Sequence, residues 1–159
     1  MFCGDSRHTV DAKNRVFVPK RFQQGLSLDE DGNRTAVLTR GLDGCLFLFS
    51  EEGFARALER MDTAAFAGEK SRRLQRLFFS YTTRPTLDAS GRLLVPEKLR
   101  KLAGIEREVV MVGVVDRVEI WSAERWDRFE ADSEGEFEEL ESILTGASPQ
   151  DAPRKGGSR

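Results

Sequence analysis

Residues 10–22 read Val-Asp-Ala-Lys-Asn-Arg-Val-Phe-Val-Pro-Lys-Arg-Phe, and residues 87–99 read Leu-Asp-Ala-Ser-Gly-Arg-Leu-Leu-Val-Pro-Glu-Lys-Leu. Asp, Ala, Arg, Val and Pro recur at the same places in both stretches, and most of the other apolar residues match apolar residues. A second match places Phe-Leu-Phe-Ser at residues 47–50 over Glu-Ile-Trp-Ser at residues 119–122. A repeat of this length indicates two copies of one small unit, and therefore a pseudo-symmetric protein.

Each copy is predicted to contain a tight turn after a short strand. In the first copy a strand leads to Asp11, residues 12–14 form a three-residue loop, and Arg15 opens the next strand. The last residue of such a loop adopts a left-handed backbone, which Gly and Asn tolerate best. The aspartate can accept hydrogen bonds from N–H groups just ahead of it and can pair with the arginine across the hairpin neck. The residues predicted to shape the two turns are Asp11, Asn14, Asp88 and Gly91.

The remainder of each copy is predicted to be a short helix followed by a second hairpin. Val-Pro ends the strand, and Pro suits the first position of a helix. The second hairpins cover residues 36–49 and 109–121. Two amphipathic helices separate the copies, because apolar residues follow Phe54 and Leu74 at i+3, i+4 and i+7. A third helix is predicted over residues 124–144, where it buries Trp126 and Phe129.

These elements predict an α+β fold with flanking helices. The first unit covers residues 5–53, a helical connection covers residues 54–81, and the second unit covers residues 82–125. An acidic C-terminal helix follows over residues 126–144. The tail, residues 145–159, contains two prolines and a Gly-Gly pair and is predicted to be disordered.

Charge is distributed unevenly along the chain. The formal net charge is −2, but residues 69–101 carry nine Lys/Arg against three Asp/Glu, and residues 1–25 carry five against two. Residues 123–144 carry two against nine, so an acidic C-terminal stretch hides two basic segments in the total. Solvated helix faces are the simplest explanation of such runs. The N-terminus has no apolar core of a secretion signal, and no apolar run is long enough for a membrane helix, so we expect a cytoplasmic protein without a membrane partner.

The chemistry-bearing residues do not indicate an enzyme. Two symmetry-related aspartates could share a proton as in aspartic proteases, but neither lies in an Asp-Thr/Ser-Gly triplet, and each precedes an arginine that would keep it ionised. His8 is the single histidine, and Cys3 and Cys45 are the only cysteines, so a four-ligand zinc site is not expected. We therefore expect no catalysis, metal, cofactor or small-molecule substrate.

The two arginines are the candidate DNA contacts. An arginine at the base of an exposed turn can reach outward, and its planar guanidinium suits phosphate oxygens and the guanine edge. Further cations surround the first turn, whereas Ser90 replaces the tip lysine in the second, so the first copy is the favoured reader. The predicted DNA-binding residues are Arg7, Lys13, Arg15, Lys20, Arg21 and Arg92. A structural alternative, in which each arginine only pairs with its own aspartate, fits the residues equally well.

Several of these motifs together resemble a known family. They are Met1-Phe2-x-Gly4, Asp11-Ala12-Lys13-Asn14-Arg15, Val18-Pro19, Asp88-x-x-Gly91-Arg92, Pro96 and Arg117-Val118-Glu119-Ile120-Trp121. Over roughly residues 1–130 the chain resembles the MraZ family, transcriptional regulators associated with the bacterial division and cell-wall gene cluster. Asn14 departs from the pattern, since the family usually carries Gly there.

The resemblance implies that each half is similar to the AbrB/SpoVT swapped-hairpin fold, in which two tandem units interlock in a β-barrel-like core. It also implies specific binding of double-stranded promoter DNA at direct repeats upstream of the protein's own operon, repression, and a location at the nucleoid. Family members assemble into homo-oligomeric rings, which implies an octamer or larger here. Because AbrB-type folds also occur in antitoxins, an alternative is a protein-interaction module that uses the acidic C-terminal helix.

Overall fold

The computed structural model describes residues 1–146 and shows a mixture of helices and short strands. The strands are β1 (Asp5–Thr9), β2 (Arg15–Phe17), β3 (Ser27–Leu28), β4 (Arg34–Thr35), β5 (Val37–Arg40), β6 (Leu46–Phe49), β7 (Arg92–Leu94), β8 (Glu108–Val114) and β9 (Arg117–Ser122). The helices are α1 (Lys20–Gln23), α2 (Glu51–Glu59), α3 (Glu69–Ser80), α4 (Glu97–Ala103), α5 (Ala123–Asp132), α6 (Leu140–Thr145) and a 3-10 helix (Glu136–Glu139). The predicted helices after Pro19 and Pro96 are confirmed as α1 and α4, and the second hairpins as β5–β6 and β8–β9.

Most strands belong to one antiparallel sheet of five strands, in the order β1-β8-β9-β6-β5. Strands β6 and β9, one from each copy, meet at its centre with Phe47 opposite Glu119. These two residues are counterparts in the sequence repeat. A two-fold axis between the copies produces an antiparallel strand pair in which a residue faces its own counterpart. The sheet therefore has the predicted pseudo-symmetry.

A second pairing across the copies joins β2 and β7 in a two-stranded ribbon. Val16 lies opposite Leu93, its counterpart, while Arg15 lies opposite Leu94 and Phe17 opposite Arg92. Val16 and Leu93 are both fully buried. The ribbon therefore turns one apolar side into the core and carries the two arginines on its other side.

The prediction that each copy begins with a hairpin of two neighbouring, paired strands is wrong. β1 forms its ladder with β8 and β2 forms its ladder with β7, although the intervening turn is present. The backbone N–H of Asp11 donates to the Arg15 carbonyl at 2.9 Å, and that of Asn14 donates to the Asp11 carbonyl at 3.0 Å. For β2, the partner from the other copy replaces the local one because this pairing places Val16 and Leu93 together in a shared core.

The strand predicted to lead into the second turn is reduced to two isolated bridges, Thr35 with Thr86 and Leu38 with Thr83. Between them the backbone N–H of Ala36 donates to the Pro85 carbonyl at 3.1 Å. Pro85 has no N–H with which to return that bond, so the ladder is incomplete at this edge position.

One large core lies within residues 1–126, a compact unit of the chain. It contains the inward side chains of the ribbon together with those of the sheet, including Leu46, Leu48, Met111 and Ile120. A smaller cluster joins Val37 and Phe49 of the sheet to Phe54 of α2. The side-chain oxygen of Ser50 caps α2 by accepting from the Gly53 N–H at 3.0 Å.

Helix α3 is present where the apolar periodicity predicted it, but none of its residues is buried. Phe78 packs on the small cluster and stacks on Phe54 with the ring centroids 6.2 Å apart. Leu74 and Leu77 remain 56% and 50% exposed. The periodicity correctly predicted an apolar helix face, and the fold within residues 1–126 leaves half of that face uncovered.

The single acidic helix predicted over residues 124–144 is wrong, because the chain forms α5, the 3-10 helix and α6 instead. The interruption includes Gly135, whose φ of 93° is incompatible with a continuing right-handed helix. Trp126 is half-buried, but Phe129 is exposed, contrary to the prediction. A second compact unit begins at Asp127. Thr145, the first residue of the predicted disordered tail, ends α6, and residues 147–159 of that tail lie outside the described residues.

No helix within residues 1–146 is both long enough and apolar enough to cross a lipid bilayer.

Candidate nucleic-acid interface

The first turn is organised by the carboxylate of Asp11. Its Oδ1 atom accepts from the backbone N–H groups of Lys13 and Arg15, both at 2.9 Å. Its Oδ2 atom accepts from Arg15 Nε at 2.9 Å. Asn14 occupies the left-handed region with a φ of 63°. One short side chain thus satisfies two backbone donors and orients the guanidinium at the same time.

The second turn repeats this geometry. Asp88 Oδ1 accepts from the backbone N–H groups of Ser90 at 3.0 Å and Arg92 at 2.9 Å, and Oδ2 accepts from Arg92 Nε at 2.8 Å. Gly91 has a φ of 78°, the counterpart of Asn14. The repeat in the sequence therefore corresponds to a repeat in side-chain hydrogen bonding.

The pairing of β2 with β7 places the two turns next to each other. The backbone N–H of Val18 donates to the Gly91 carbonyl at 3.0 Å, and that of Val95 donates to the Asn14 carbonyl at 2.9 Å. Each turn is therefore hydrogen-bonded to the residue that follows the ribbon strand of the other copy, and the two turns form one surface.

Four charges meet on this surface in what we call the turn cluster: Asp11, Arg15, Asp88 and Arg92. Besides its own aspartate, Arg15 approaches Asp88 with Nη1 3.8 Å from Oδ2. Arg92 approaches Asp11 with Nη1 3.7 Å from Oδ2. The pairing within each copy that the sequence suggested is present, and the contacts between copies extend it. The side chains of Arg15 and Arg92 are 27% and 35% exposed, so both guanidiniums remain accessible.

Hydrogen bonding keeps the two aspartates ionised. The backbone N–H of Arg15 lowers the pKa of Asp11, helped by the Arg15 side chain and the Lys13 N–H. The backbone N–H of Arg92 lowers the pKa of Asp88 in the same way, helped by the Arg92 side chain and the Ser90 N–H. Two carboxylates with lowered pKa values do not hold a shared proton at neutral pH, which removes the basis for the aspartic-protease alternative.

The four other cations of the first copy that were predicted to bind DNA are exposed. Lys13 at its tip and Lys20 at the start of α1 are exposed, and neither forms an ion pair within residues 1–146. Arg7 is exposed on β1. Arg21 is also exposed; its Nη2 donates to the Asp5 carbonyl at 2.6 Å, and its guanidinium lies 4.7 Å above the Phe22 ring.

Around the second turn, Arg84, Lys98 and Lys101 contact other groups within the fold. Lys98 Nζ lies 4.1 Å from the centre of the Tyr81 ring, and Arg84 Nε is 2.9 Å from a Glu51 carboxylate oxygen. Lys101 pairs with Glu97 at 2.9 Å. The two copies are alike in backbone but differ in electrostatics, because Lys13 and Lys20 of the first copy form no ion pair within residues 1–146, whereas Lys101 of the second copy pairs with Glu97.

Sequence reasoning missed the contacts between the turns, since no pattern in either copy shows which strand the ribbon pairs with. It also missed the basic, apolar surface of α3. The signal for that surface was present in the count of nine cations over residues 69–101, but those cations could not be assigned to a face before the helix was placed. Among residues 1–146, no group of three or more His, Cys, Asp or Glu is placed to hold a metal ion.

The fold and these turns define a class of protein: a duplicated α+β chain in which two arginine-bearing Asx turns are joined by one ribbon. The family model described as "MraZ protein, putative antitoxin-like" matches this chain twice, over residues 1–77 and 78–146. The two matches confirm the duplication that the sequence repeat indicated.

Individual relatives agree along most of the chain, and those named here are all called Transcriptional regulator MraZ. The protein from Desulforamulus reducens is 41% identical over 140 residues, covering 88% of this chain and 94% of the relative. That from Heliobacterium modesticaldum is 39% identical over 144 residues, covering 91% and 96%. That from Lactiplantibacillus plantarum is 36% identical over 144 residues, covering 91% and 98%. The chain belongs to the MraZ family, as its motifs predicted.

Proposed function

We propose that this protein is a sequence-specific DNA-binding transcriptional regulator and not an enzyme. Its curated relatives are named as transcriptional regulators, and they cover nearly its whole length. The observation that supports DNA contact most directly is the pairing of β2 with β7, which brings two partly exposed guanidiniums onto one surface.

The turn cluster prepares the arginines for recognition. Each aspartate binds Nε of its own arginine and lies near Nη1 of the other arginine, which leaves the Nη2 donors for an incoming ligand. Because the rotamers are already held, less side-chain entropy is lost when DNA binds. Arg15 and Arg92 would then donate to a base edge in the major groove or to a phosphate oxygen.

The lysines and remaining arginines supply attraction without sequence information. Lys13, Lys20, Arg7 and Arg21 lie around the first turn, where they would contact backbone phosphates. Since each phosphate contact releases counterions, affinity should fall steeply with salt. The first copy is the stronger reader in this proposal, because Lys13 and Lys20 form no ion pair within residues 1–146, whereas Arg84, Lys98 and Lys101 near the second turn have partners within the fold.

We also propose that the two copies form a swapped-hairpin fold. Two AbrB/SpoVT-like units over residues 5–53 and 82–125 would exchange their turn strands in a swapped-hairpin, barrel-like core. Residues 54–81 connect them, and residues 126–144 form the acidic C-terminal segment. The pairings of β2 with β7 and of β6 with β9 across the copies support this description.

The biological setting is proposed from the family. The protein would act in the cytoplasm, at the nucleoid, and repress the division and cell-wall gene cluster by binding direct repeats upstream of its own operon. Copies assembled in a ring of eight or more would present one turn surface to each repeat. Linked weak contacts then give high total affinity through effective concentration.

Band shifts over a range of salt concentrations on the protein's own upstream DNA test the proposal. Lys13→Ala should weaken binding and reduce the log–log salt slope by about 0.9, the value expected for one phosphate contact. Arg15→Lys keeps the charge but loses the planar fork, so it should reduce preference for the operator over unrelated DNA. Arg56→Ala, which removes an exposed charge from α2, is the matched control and should change neither. If both turn variants bind like Arg56→Ala, the turn surface is not the DNA contact.

A further inference from the structure

Helix α3 borders an open groove that nothing in residues 1–126 fills. The groove has a volume of about 820 Å³ and lies between α3, the end of α2 and the β5–β6 turn. Its apolar lining includes Leu42, Leu74 and Leu77, which are 71%, 56% and 50% exposed. Contiguous apolar side chains at this exposure mark an interaction surface more often than isolated ones do.

The rim of this groove is basic on its α3 side, whereas Asp43 and Asp62 also line the groove. Lys70 lines it, and Arg73 and Arg76 continue along the solvent side of α3 next to Leu74 and Leu77. All three cations are exposed, and none of them forms an ion pair within the described part of the chain. Arg40 contributes a further guanidinium from the end of β5. A partner for the groove should therefore be apolar in the middle and acidic where it faces the cations of α3.

The C-terminal helical segment, residues 136–145, has this complementary composition. Its apolar side chains recur at helical spacing and are strongly exposed: Phe137 78%, Leu140 36%, Ile143 76% and Leu144 77%. Its charged residues are all acidic: Glu136, Glu138, Glu139 and Glu141. At about 1.5 Å per residue, these ten residues span about 15 Å, comparable to the length of α3.

We propose that the C-terminal helical segment of one copy docks in the α3 groove of a second copy, with its leucines and phenylalanine against Leu74 and Leu77 and its glutamates on the basic rim. The groove and the segment are different surfaces, so the contact is heterologous and repeats from copy to copy. Such contacts close into a ring when the rotation between copies permits. This inference rests on the proposed function only in that self-association is part of it.

A pair of complementary variants tests the docking by light-scattering mass. Leu77→Asp breaks the groove and leaves the segment intact, and Leu144→Asp does the reverse. Each variant alone should fall from the wild-type oligomer to the mass of one chain, 17.9 kDa. Mixed in equal amounts they share one intact groove and one intact segment, so they should form a two-chain complex. Leu28→Asp, which charges an apolar residue that is 57% exposed on β3, is the matched control and should stay oligomeric.

Charge reversal on the rim gives a second measurement, which does not require a carboxylate to be placed among the apolar side chains of the contact. Arg73→Glu with Arg76→Glu should dissociate the oligomer, and adding Glu138→Lys with Glu141→Lys in the same chain should restore it. The proposal is overturned if wild type is monomeric, if Leu77→Asp and Leu144→Asp keep the wild-type mass, or if their mixture forms no complex. Capture of a different protein by the segment, without loss of mass in Leu144→Asp, overturns it as well.

DNA binding separates this proposal from the proposed function. The monomeric groove and segment variants should bind a fragment with one operator repeat as wild type does, and lose affinity only on fragments with several repeats. Failure of the turn surface gives a different pattern, in which Leu77→Asp and Leu144→Asp still dissociate the oligomer but Lys13→Ala leaves DNA binding intact.

Discussion

The fit between the second turn and α1 predicts a specific stability loss for Gly91→Ala. Gly91 has a φ of +78°, which L residues rarely adopt. A Cβ added there would overlap the side-chain nitrogen of Gln23 and lie 3.0 Å from its Cδ. Gln23 Nε2 donates to the Val18 carbonyl at 2.7 Å, so moving this side chain aside breaks a hydrogen bond at the end of β2.

The expected magnitude follows from these two effects. A left-handed backbone costs a non-Gly residue about 1–2 kcal/mol, and a lost hydrogen bond costs about 0.5–1.5 kcal/mol. Gly91→Ala should therefore lower the free energy of unfolding by about 1.5–3.5 kcal/mol. Gly32→Ala is the matched control, because Gly32 has a φ of +82° and no atom within 4 Å of an added Cβ. Gly32→Ala should lower the free energy of unfolding only by the cost of the left-handed backbone, about 1–2 kcal/mol.

Urea unfolding followed by the fluorescence of Trp121 and Trp126 measures both variants, at one fixed protein concentration because the protein is proposed to self-associate. Combining Gly91→Ala with Gln23→Ala removes the overlap, so the double variant should lose less stability than the two single losses added together. The reasoning is refuted if Gly91→Ala costs no more than Gly32→Ala, or if the two single changes are additive.

Two further predictions concern titratable groups. Because the pKa values of Asp11 and Asp88 are lowered in the folded chain, their contribution to stability is complete above the unfolded value near 4 and is lost as pH falls through the folded values. Stability measured by urea between pH 6 and about pH 2 should therefore drop less in Asp11→Asn/Asp88→Asn than in wild type; an equal drop would place the acid sensitivity elsewhere. Burial raises the pKa of Cys45 to about 12, whereas Cys3 is exposed, so a thiol reagent at pH 8 should modify one cysteine per folded chain and two after denaturation. Rapid modification of both in the folded protein would contradict the burial of Cys45.

The local features of this protein were predictable from the sequence because short-range chemistry determines them. Spacing alone predicted the two Asx turns, since an aspartate followed by a three-residue loop ending in Asn or Gly has few other low-energy conformations. Proline predicted the starts of α1 and α4 for the same reason. The duplication was visible as a repeat and is present as two matches to one family model.

The sequence patterns did not predict which distant strands pair with each other. The hairpin predicted around Asp11 assumed that neighbouring strands pair, whereas β2 pairs with β7 across 77 positions. Alternation of apolar residues shows which side of a strand is buried, but not which partner covers it. The same limit applies to α3, whose apolar periodicity predicted a helix but not that half of its face stays open.

The sequence by itself determined the two turns, the elements around them and the family to which the chain belongs. Only the tertiary structure decided that the turns lie side by side and that Arg15 and Arg92 share one cluster of four charges. Turns depend on a few adjacent dihedral angles, so neighbouring residues specify them. The charge cluster depends on which distant strands share a core, and that choice is made by burial of Val16 against Leu93, two residues far apart in the chain.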